Sequence, residues 1–310
     1  MEVGEEFHVS EGSLGKFTER VIEALLDHED EFVFWPNEAE RRYISAWFER
    51  EKGIPGGCVG VVDGCHIVFY SAPAREDKQD YYSYKRRYRF SICAICDHNY
   101  LLRQVLYGFT ASQHDTTVFE STKVAKYPEK FFSTNEFLLA DSAYTPSKYT
   151  VPLFKCEKGN PNLERDEQLF NTSLAKARVA IEHAFGILKG RWQSLRGLRV
   201  MIRDKEDEAR ATCWIRACVL LHNMLITSSA WVVNEMVHKE RALAQANDPE
   251  ENEGGEVEET LTHAACGDET WRLRLMRDMG LDTANQLRII EDRKQKAAQY
   301  RRARRRVSNA

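Results

Sequence analysis

Between Cys58 and Tyr107 the chain carries three β-rich apolar runs with no helical pattern between them. They are Cys58-Val-Gly-Val-Val-Asp63, continued by His66-Ile-Val-Phe-Tyr70; Arg89-Phe-Ser-Ile-Cys-Ala-Ile-Cys96; and Leu101-Leu-Arg-Gln-Val-Leu-Tyr107. Parallel neighbours need a crossover of a dozen or more residues, usually helical, whereas antiparallel strands join through a short turn. Asp97-His-Asn-Tyr100 is such a turn by composition. The sheet is therefore expected to begin antiparallel. Helical signals follow around Asp115 to Ala125, and Glu136-Phe-Leu-Leu-Ala-Asp141 is a further short strand. Long amphipathic helices run from about Arg165 to Gly190 and from about Lys205 to Ile226. This order predicts an α/β class of the α+β mixed-sheet kind, covered by helices, and argues against a doubly wound parallel sheet.

Three segments are expected. Residues 1–56 form a helical N-terminal part, in which Phe17, Val21, Ile22, Leu25 and Leu26 share a helical spacing and Glu38 to Arg50 gives a second short helix. The Gly53-Ile-Pro-Gly-Gly57 run breaks that pattern. Residues 57–227 hold the sheet and the long helices, and 228–310 form a helical extension with an acidic linker and a basic tail. Asp248 to Glu259 carries seven acids and Arg293 to Arg306 eight bases, so a net charge of −4 conceals blocks of opposite sign. Eight cysteines at irregular spacings, most of them in apolar runs, read as reduced core thiols of an intracellular protein. Cys93 and Cys96 have CxxC spacing, but no companion set completes four zinc ligands. The start does not resemble a signal peptide, and no apolar run approaches the roughly 18 residues of a membrane span.

Three acids stand out by context. Asp63 lies in an otherwise apolar strand, Asp141 ends the run Phe137-Leu-Leu-Ala140, and Glu182 adjoins the apolar stripe of the first long helix. An ionised carboxylate near a core is costly unless something compensates it. Divalent metal ions are one compensation, and hard ions such as Mg²⁺ prefer oxygen ligands. Ordinary roles compete with that reading: a strand-end Asp is often a turn former or an arginine partner, and Arg178 stands four residues before Glu182 and could pair with it along the helix.

A resemblance shifts the balance between these toward the metal reading. Gly60-Val-Val-Asp-Gly-Cys-His-Ile67, Ser112-Gln-His-Asp-Thr-Thr-Val-Phe119, Leu138-Leu-Ala-Asp-Ser-Ala-Tyr144, Ala177-Arg-Val-Ala-Ile-Glu-His-Ala-Phe-Gly-Ile-Leu-Lys189 and Leu220-Leu-His-Asn-Met224 resemble, in order, successive blocks of the PIF/Harbinger superfamily of DDE endonucleases. The resemblance covers about Gly57 to Ile226. It implies an RNase H-like core, in agreement with the strand order, and matches the catalytic and metal-binding triad to Asp63, Asp141 and Glu182. It also implies Mg²⁺ or Mn²⁺ as cofactor and hydrolysis at transposon ends by a two-metal mechanism, releasing a 3′-hydroxyl that attacks target DNA. His66, three residues after Asp63, should face the opposite side of the strand. Asp115 is expected to cap the helix that follows it, and His222 and Asn223 to be structural.

Tyr81-Tyr-Ser-Tyr-Lys-Arg-Arg-Tyr-Arg-Phe90 interleaves four bases with five aromatics. Cations neutralise phosphates and aromatic faces stack on unpaired bases, so Lys85, Arg86, Arg87 and Arg89 are expected DNA contacts, together with Lys189 and Arg191 beyond the Glu182 block. Arg301-Arg-Ala-Arg-Arg-Arg306 reads as a nuclear import signal, a nonspecific DNA arm or an ordinary charged end of a helix, and a nuclear location is expected. Only about 56 residues precede the first catalytic strand, too few for the family's helix-turn-helix region as well as linking helices. The resemblance implies DNA as a partner and, to supply that region, a Myb-like DNA-binding protein, the alternative being a truncated or domesticated copy; self-assembly is left open and no membrane is expected. Two other readings stay open: a domesticated, catalytically silent DNA- or chromatin-binding protein, and an RNase H-like nuclease acting on RNA or branched DNA.

Overall fold

A computed structural model describes residues 6–83, 86–155, 163–228 and 268–281, with isolated positions 283, 288 and 295. The expected acidic linker and basic tail lie outside the described residues. Five strands form one mixed sheet: β1 (Cys58–Val68), β2 (Arg89–Cys96), β3 (Leu102–Thr110), β4 (Phe137–Ala140) and β5 (Thr150–Pro152), in the order β3-β2-β1-β4-β5. β1, β2 and β3 are antiparallel neighbours, while β4 and β5 join parallel to β1. This arrangement is consistent with the RNase H-like fold of DDE endonucleases. The turn between β2 and β3 is built by Asp97, whose carboxylate accepts from the Asn99 and Leu101 N–H groups at 2.8 and 3.1 Å and from Arg103 Nε at 2.8 Å.

Among the described residues the α-helices are α1 (Glu11–Leu26), α2 (Glu29–Phe32), α3 (Glu38–Lys52), α4 (Asp115–Glu120), α5 (Lys123–Lys126), α6 (Arg165–Arg191), α7 (Lys205–Ser228) and α8 (Thr270–Asp278). Their ends follow local chemistry. At α3 the Asn37 side chain accepts the Glu40 N–H while Glu40 returns its carboxylate to the Asn37 N–H, so two orphan donors are satisfied. Gly53 then ends the helix at φ +66°, a conformation that costs glycine little. On α6, Phe170, Leu174, Ala177, Ile181, Ala184 and Leu188 form one buried stripe.

Alternation along the strands divides the interior in two. Val61, Cys65 and Ile67 of β1, with Ala94 and Leu139, pack against α3, α6 and α7. Val59 and Val62, with Cys93, Ile95, Leu138 and Ala140, face Val118, Phe119 and Tyr144 on the other side. The main cluster draws on all three segments of the chain: Ile44 and Phe48 from the first, the sheet and α6 from the second, Leu273 and Met276 from the last. A fully buried side chain such as Phe48 contributes about 1.5–3 kcal/mol. Cys93 and Cys96 fall into opposite clusters and so cannot share a zinc ion. Burial pushes the Cys58 thiol up to about 12.

Two polar ties fix the helices on the sheet. Arg41 Nε donates to Glu136 Oε2 at 2.7 Å, holding α3 to the residue before β4. The Asn223 amide of α7 accepts the Leu102 N–H at 3.0 Å and donates to the Leu102 and Phe32 carbonyls at 2.9 and 2.8 Å. His222 is buried beside it against the Tyr100 carbonyl at 3.0 Å, where desolvation pushes its pKa down to about 4. Among the described residues no helix is long and apolar enough to cross a membrane.

Candidate active site

Leu139 of β4 lies beside Val61 of β1 in parallel register. Side chains alternate with period two, so the residues two further on, Asp63 and Asp141, come to the same face of neighbouring strands. That face is the one covered by α6. From α6 the Arg178 guanidinium reaches both acids. Its Nη2 donates to Asp63 Oδ2 at 2.9 Å and its Nη1 to Asp141 Oδ1 at 3.3 Å. The arginine side chain is only 9% exposed, against 22% for Asp63 and 38% for Asp141. The second oxygen of Asp63, Oδ1, accepts the Gly64 N–H at 2.8 Å.

Electrostatics at Asp63 are dominated by burial. Desolvation pushes its pKa up to about 7, opposed by the positive charge of Arg178 and assisted by the negative charges of Asp141 and Asp115. Asp115 is raised as well, first by burial and then by Asp141, with Arg89 and His114 acting in the other direction. Three aspartates thus feel one another between the middle of β1, the end of β4 and the start of α4.

Asp115 departs from its expected role as a helix cap. His114 holds the N-cap position of α4, with no side-chain capping bond, and Asp115 is the first helical residue. Its carboxylate packs under Gly64 so closely that a Cβ there would lie 2.4 Å from Asp115 Oδ1. The next residue, Thr116, donates its hydroxyl to the Ala143 carbonyl at 2.6 Å, tying α4 to the loop after Asp141. The Gly64 and Asp115 fit leaves a sequence signal only in hindsight: a glycine directly after a strand carboxylate, where a β-branched residue would suit the strand.

Glu182 is exposed on α6, and Arg178 takes its ion-pair partners from the sheet rather than from Glu182. The helical period explains this: Arg178 shares the buried side with Ala177 and Ile181, and Glu182 lies one turn further toward solvent. Among the described residues no three His, Cys, Asp or Glu side chains are gathered to hold a metal ion. The donor chemistry of Asp63 and Asp141, two carboxylates side by side, nevertheless fits a hard divalent ion.

The basic residues sort into two groups. Arg86 and Arg87 are exposed, with Arg86 at φ +58°, while Lys85 lies outside the described residues. Arg89 is buried, so its expected place on a DNA surface is corrected: its position in β2 turns it inward, where its charge stabilises the Asp115 carboxylate. Lys189 and Arg191 are half-buried. Lys189 meets the Cys65 thiol. His66 faces away from Asp63 as expected, hydrogen-bonded to Ser91 Oγ at 3.0 Å.

Comparison with known proteins places this geometry. The sequence profile of the DDE superfamily endonucleases matches residues 62–223, a span that includes Asp63, Asp141, Arg178 and Glu182. The chain belongs to that family. DDE superfamily endonucleases generally depend on divalent metal. Relatives include an ALP1-like protein of Arabidopsis thaliana, 24% identical over 72% of this chain and 56% of its own length. Antagonist of Like Heterochromatin Protein 1, from the same organism, is 26% identical over 72% of this chain and 57% of its length. HARBI1 of Homo sapiens, whose name describes a candidate nuclease, is 25% identical over 72% of this chain and 61% of its length. The chain spans less than two thirds of the length of each of these relatives. No solved structure matches it significantly.

Proposed function

We propose that this DDE endonuclease is a DNA nuclease dependent on Mg²⁺ or Mn²⁺, with Asp63 and Asp141 as its central carboxylates and Glu182 as the third. The observation that carries the reading is the pair of aspartates at matching positions on parallel β1 and β4, partly buried under α6. Neighbouring strand backbones lie about 4.8 Å apart, so β1 and the end of β4 bring the backbones that carry the two carboxylates close, with little freedom. Asp115 behind Gly64 adds negative charge to the same region. When bound, divalent ions at such carboxylates activate the attacking oxygen and stabilise the leaving one. Arg86 and Arg87 offer phosphate contacts on the exposed loop before β2, and DNA is the substrate class that the family implies. A nuclear location and a Myb-like partner that recognises terminal repeats belong to this reading.

The test is nicking of a labelled DNA duplex in Mn²⁺ or Mg²⁺, wild type against Asp141→Asn. Metal-dependent cleavage lost in the variant supports the reading. Loss should be on the order of a thousandfold, since metal-borne charge stabilisation is worth several kcal/mol and each 1.36 kcal/mol is tenfold. No cleavage by wild type, with a Myb-like protein and candidate terminal repeats added, sinks it. A second reading then applies, a silent DNA- or chromatin-binding protein on the same fold. Two observations favour it: the arginine bridging the central acids, and the exposure of Glu182. The name of the relative Antagonist of Like Heterochromatin Protein 1 fits such a role.

A further inference from the structure

The geometry points to Arg178 as a built-in surrogate cation, one that holds the Asp63–Asp141 pair closed and must leave for a divalent ion to enter. This inference rests on the reading that the pair takes a metal. Each oxygen of Asp63 is already engaged, Oδ1 by the Gly64 N–H at 2.8 Å and Oδ2 by Arg178 at 2.9 Å. Asp141 gives its Oδ1 to the same guanidinium at 3.3 Å. A dication at Asp63 Oδ2 would stand against that guanidinium, and like charges at such range repel strongly in a partly buried site. Metal entry and arginine departure are therefore one exchange, in which the pair trades a single positive charge for two.

The choice of arginine matters. Its planar fork spans two carboxylates at once, whereas a lysine ammonium is a point charge and bridges them poorly. Arg178 is delivered from the buried stripe of a 27-residue helix, so its backbone is fixed and only the side chain has to swing. Without the arginine Asp63 loses its one ion-pair partner and Lys155 is left as the cation near Asp141, which favours any metal that arrives and destabilises the metal-free fold.

The experiment titrates Mn²⁺ into the purified chain, reading free Mn²⁺ by electron paramagnetic resonance, for wild type, Arg178→Gln and Arg178→Lys. Thermal melting in EDTA and in Mn²⁺ is recorded alongside. Arg178→Gln is expected to bind Mn²⁺ about tenfold tighter than wild type, because a charge-assisted bond no longer has to be broken. It should also melt lower in EDTA and gain more from Mn²⁺ than wild type does. Arg178→Lys should fall between. Equal or weaker Mn²⁺ binding by Arg178→Gln overturns the inference. Should that variant not fold, the Arg178 Nε–Hε resonance of wild type, assigned with Arg178→Lys, decides. It must shift saturably with Mg²⁺ and stay still in Asp63→Asn, and an unmoved wild-type signal overturns the exchange. The nuclease reading is separable: wild-type cleavage with no gain in Arg178→Gln removes the exchange alone. Tighter Mn²⁺ binding without cleavage removes the nuclease alone.

Discussion

Asp63 and Asp207 are both aspartates held by arginine, and their surroundings drive them in opposite directions. Asp207, near the start of α7, accepts the Arg203 N–H at 3.0 Å and Arg203 Nε at 2.9 Å, and it pairs with Arg210. Two cations and a backbone donor hold its carboxyl well below the ordinary range. Asp63 has one backbone donor and one cation, which it shares with Asp141, and burial raises it to about 7, assisted by the charges of Asp141 and Asp115. Asp207 is a finished helix-end interaction. Asp63 is under-compensated, which is the condition of a site able to take up further positive charge.

Removing the arginines should break the comparison most sharply. Arg178→Gln leaves partly buried carboxylates without their cation, and breaking a buried pair from one side costs about 3–5 kcal/mol. The loss should appear in urea unfolding at pH 8 in EDTA and shrink at pH 5, where Asp63 carries a proton and needs no cation. Arg203→Ala should cost little at either pH, because Arg203 is exposed and Arg210 remains. Equal losses at the two sites would mean that Asp63 is an ordinary structural ion pair. Gly64→Ala comes next. Its new Cβ would lie 2.4 Å from Asp115 Oδ1, so the carboxylate or the strand must shift, at a cost of about 1–3 kcal/mol measured by the same unfolding. An unchanged midpoint would show that Asp115 moves freely and is not part of a tight acidic cluster.

Much of this fold could be read from the chain because its signals are local and periodic. The switch from helical to alternating patterns marks β1, β2 and β3, the turn at Asp97 sets the hairpin, and long apolar stripes set α6 and α7. Asp63 and Asp141 were visible because each is a charge within or ending an apolar run. What escaped is long-range or short. β5 has only three residues, too few for any periodicity. Arg178 finds Asp63 across 115 residues and Asp141 across 37, and no spacing along one helix reveals where a long side chain will reach. Burial of Arg89 and the fit of Asp115 under Gly64 likewise depend on which strand or helix lies opposite, and an aspartate at a helix start is an N-cap by local chemistry alone.

The smallest signal is a pair of opposite pH slopes, each at most about 1.4 kcal/mol per pH unit. Between the ordinary carboxyl value of 3.8 and about 7, folded Asp63 keeps a proton that the unfolded chain has released. The folded state then binds more protons, so stability in EDTA falls as pH rises through that window and levels above it. Asp207 works the other way. Its folded value lies below 3.8, so its stabilisation is present above that value and is lost as pH falls beneath it. Urea midpoints taken from pH 3 to 8 should therefore show Asp63→Asn flattening the decline toward neutrality while leaving the acid limb, and Asp207→Asn flattening the acid limb alone. If Asp63→Asn leaves the slope between about pH 4 and 7 unchanged, the carboxyl is not held protonated by its surroundings. Arg178 would then compensate it fully, and the contrast between the two aspartates would disappear.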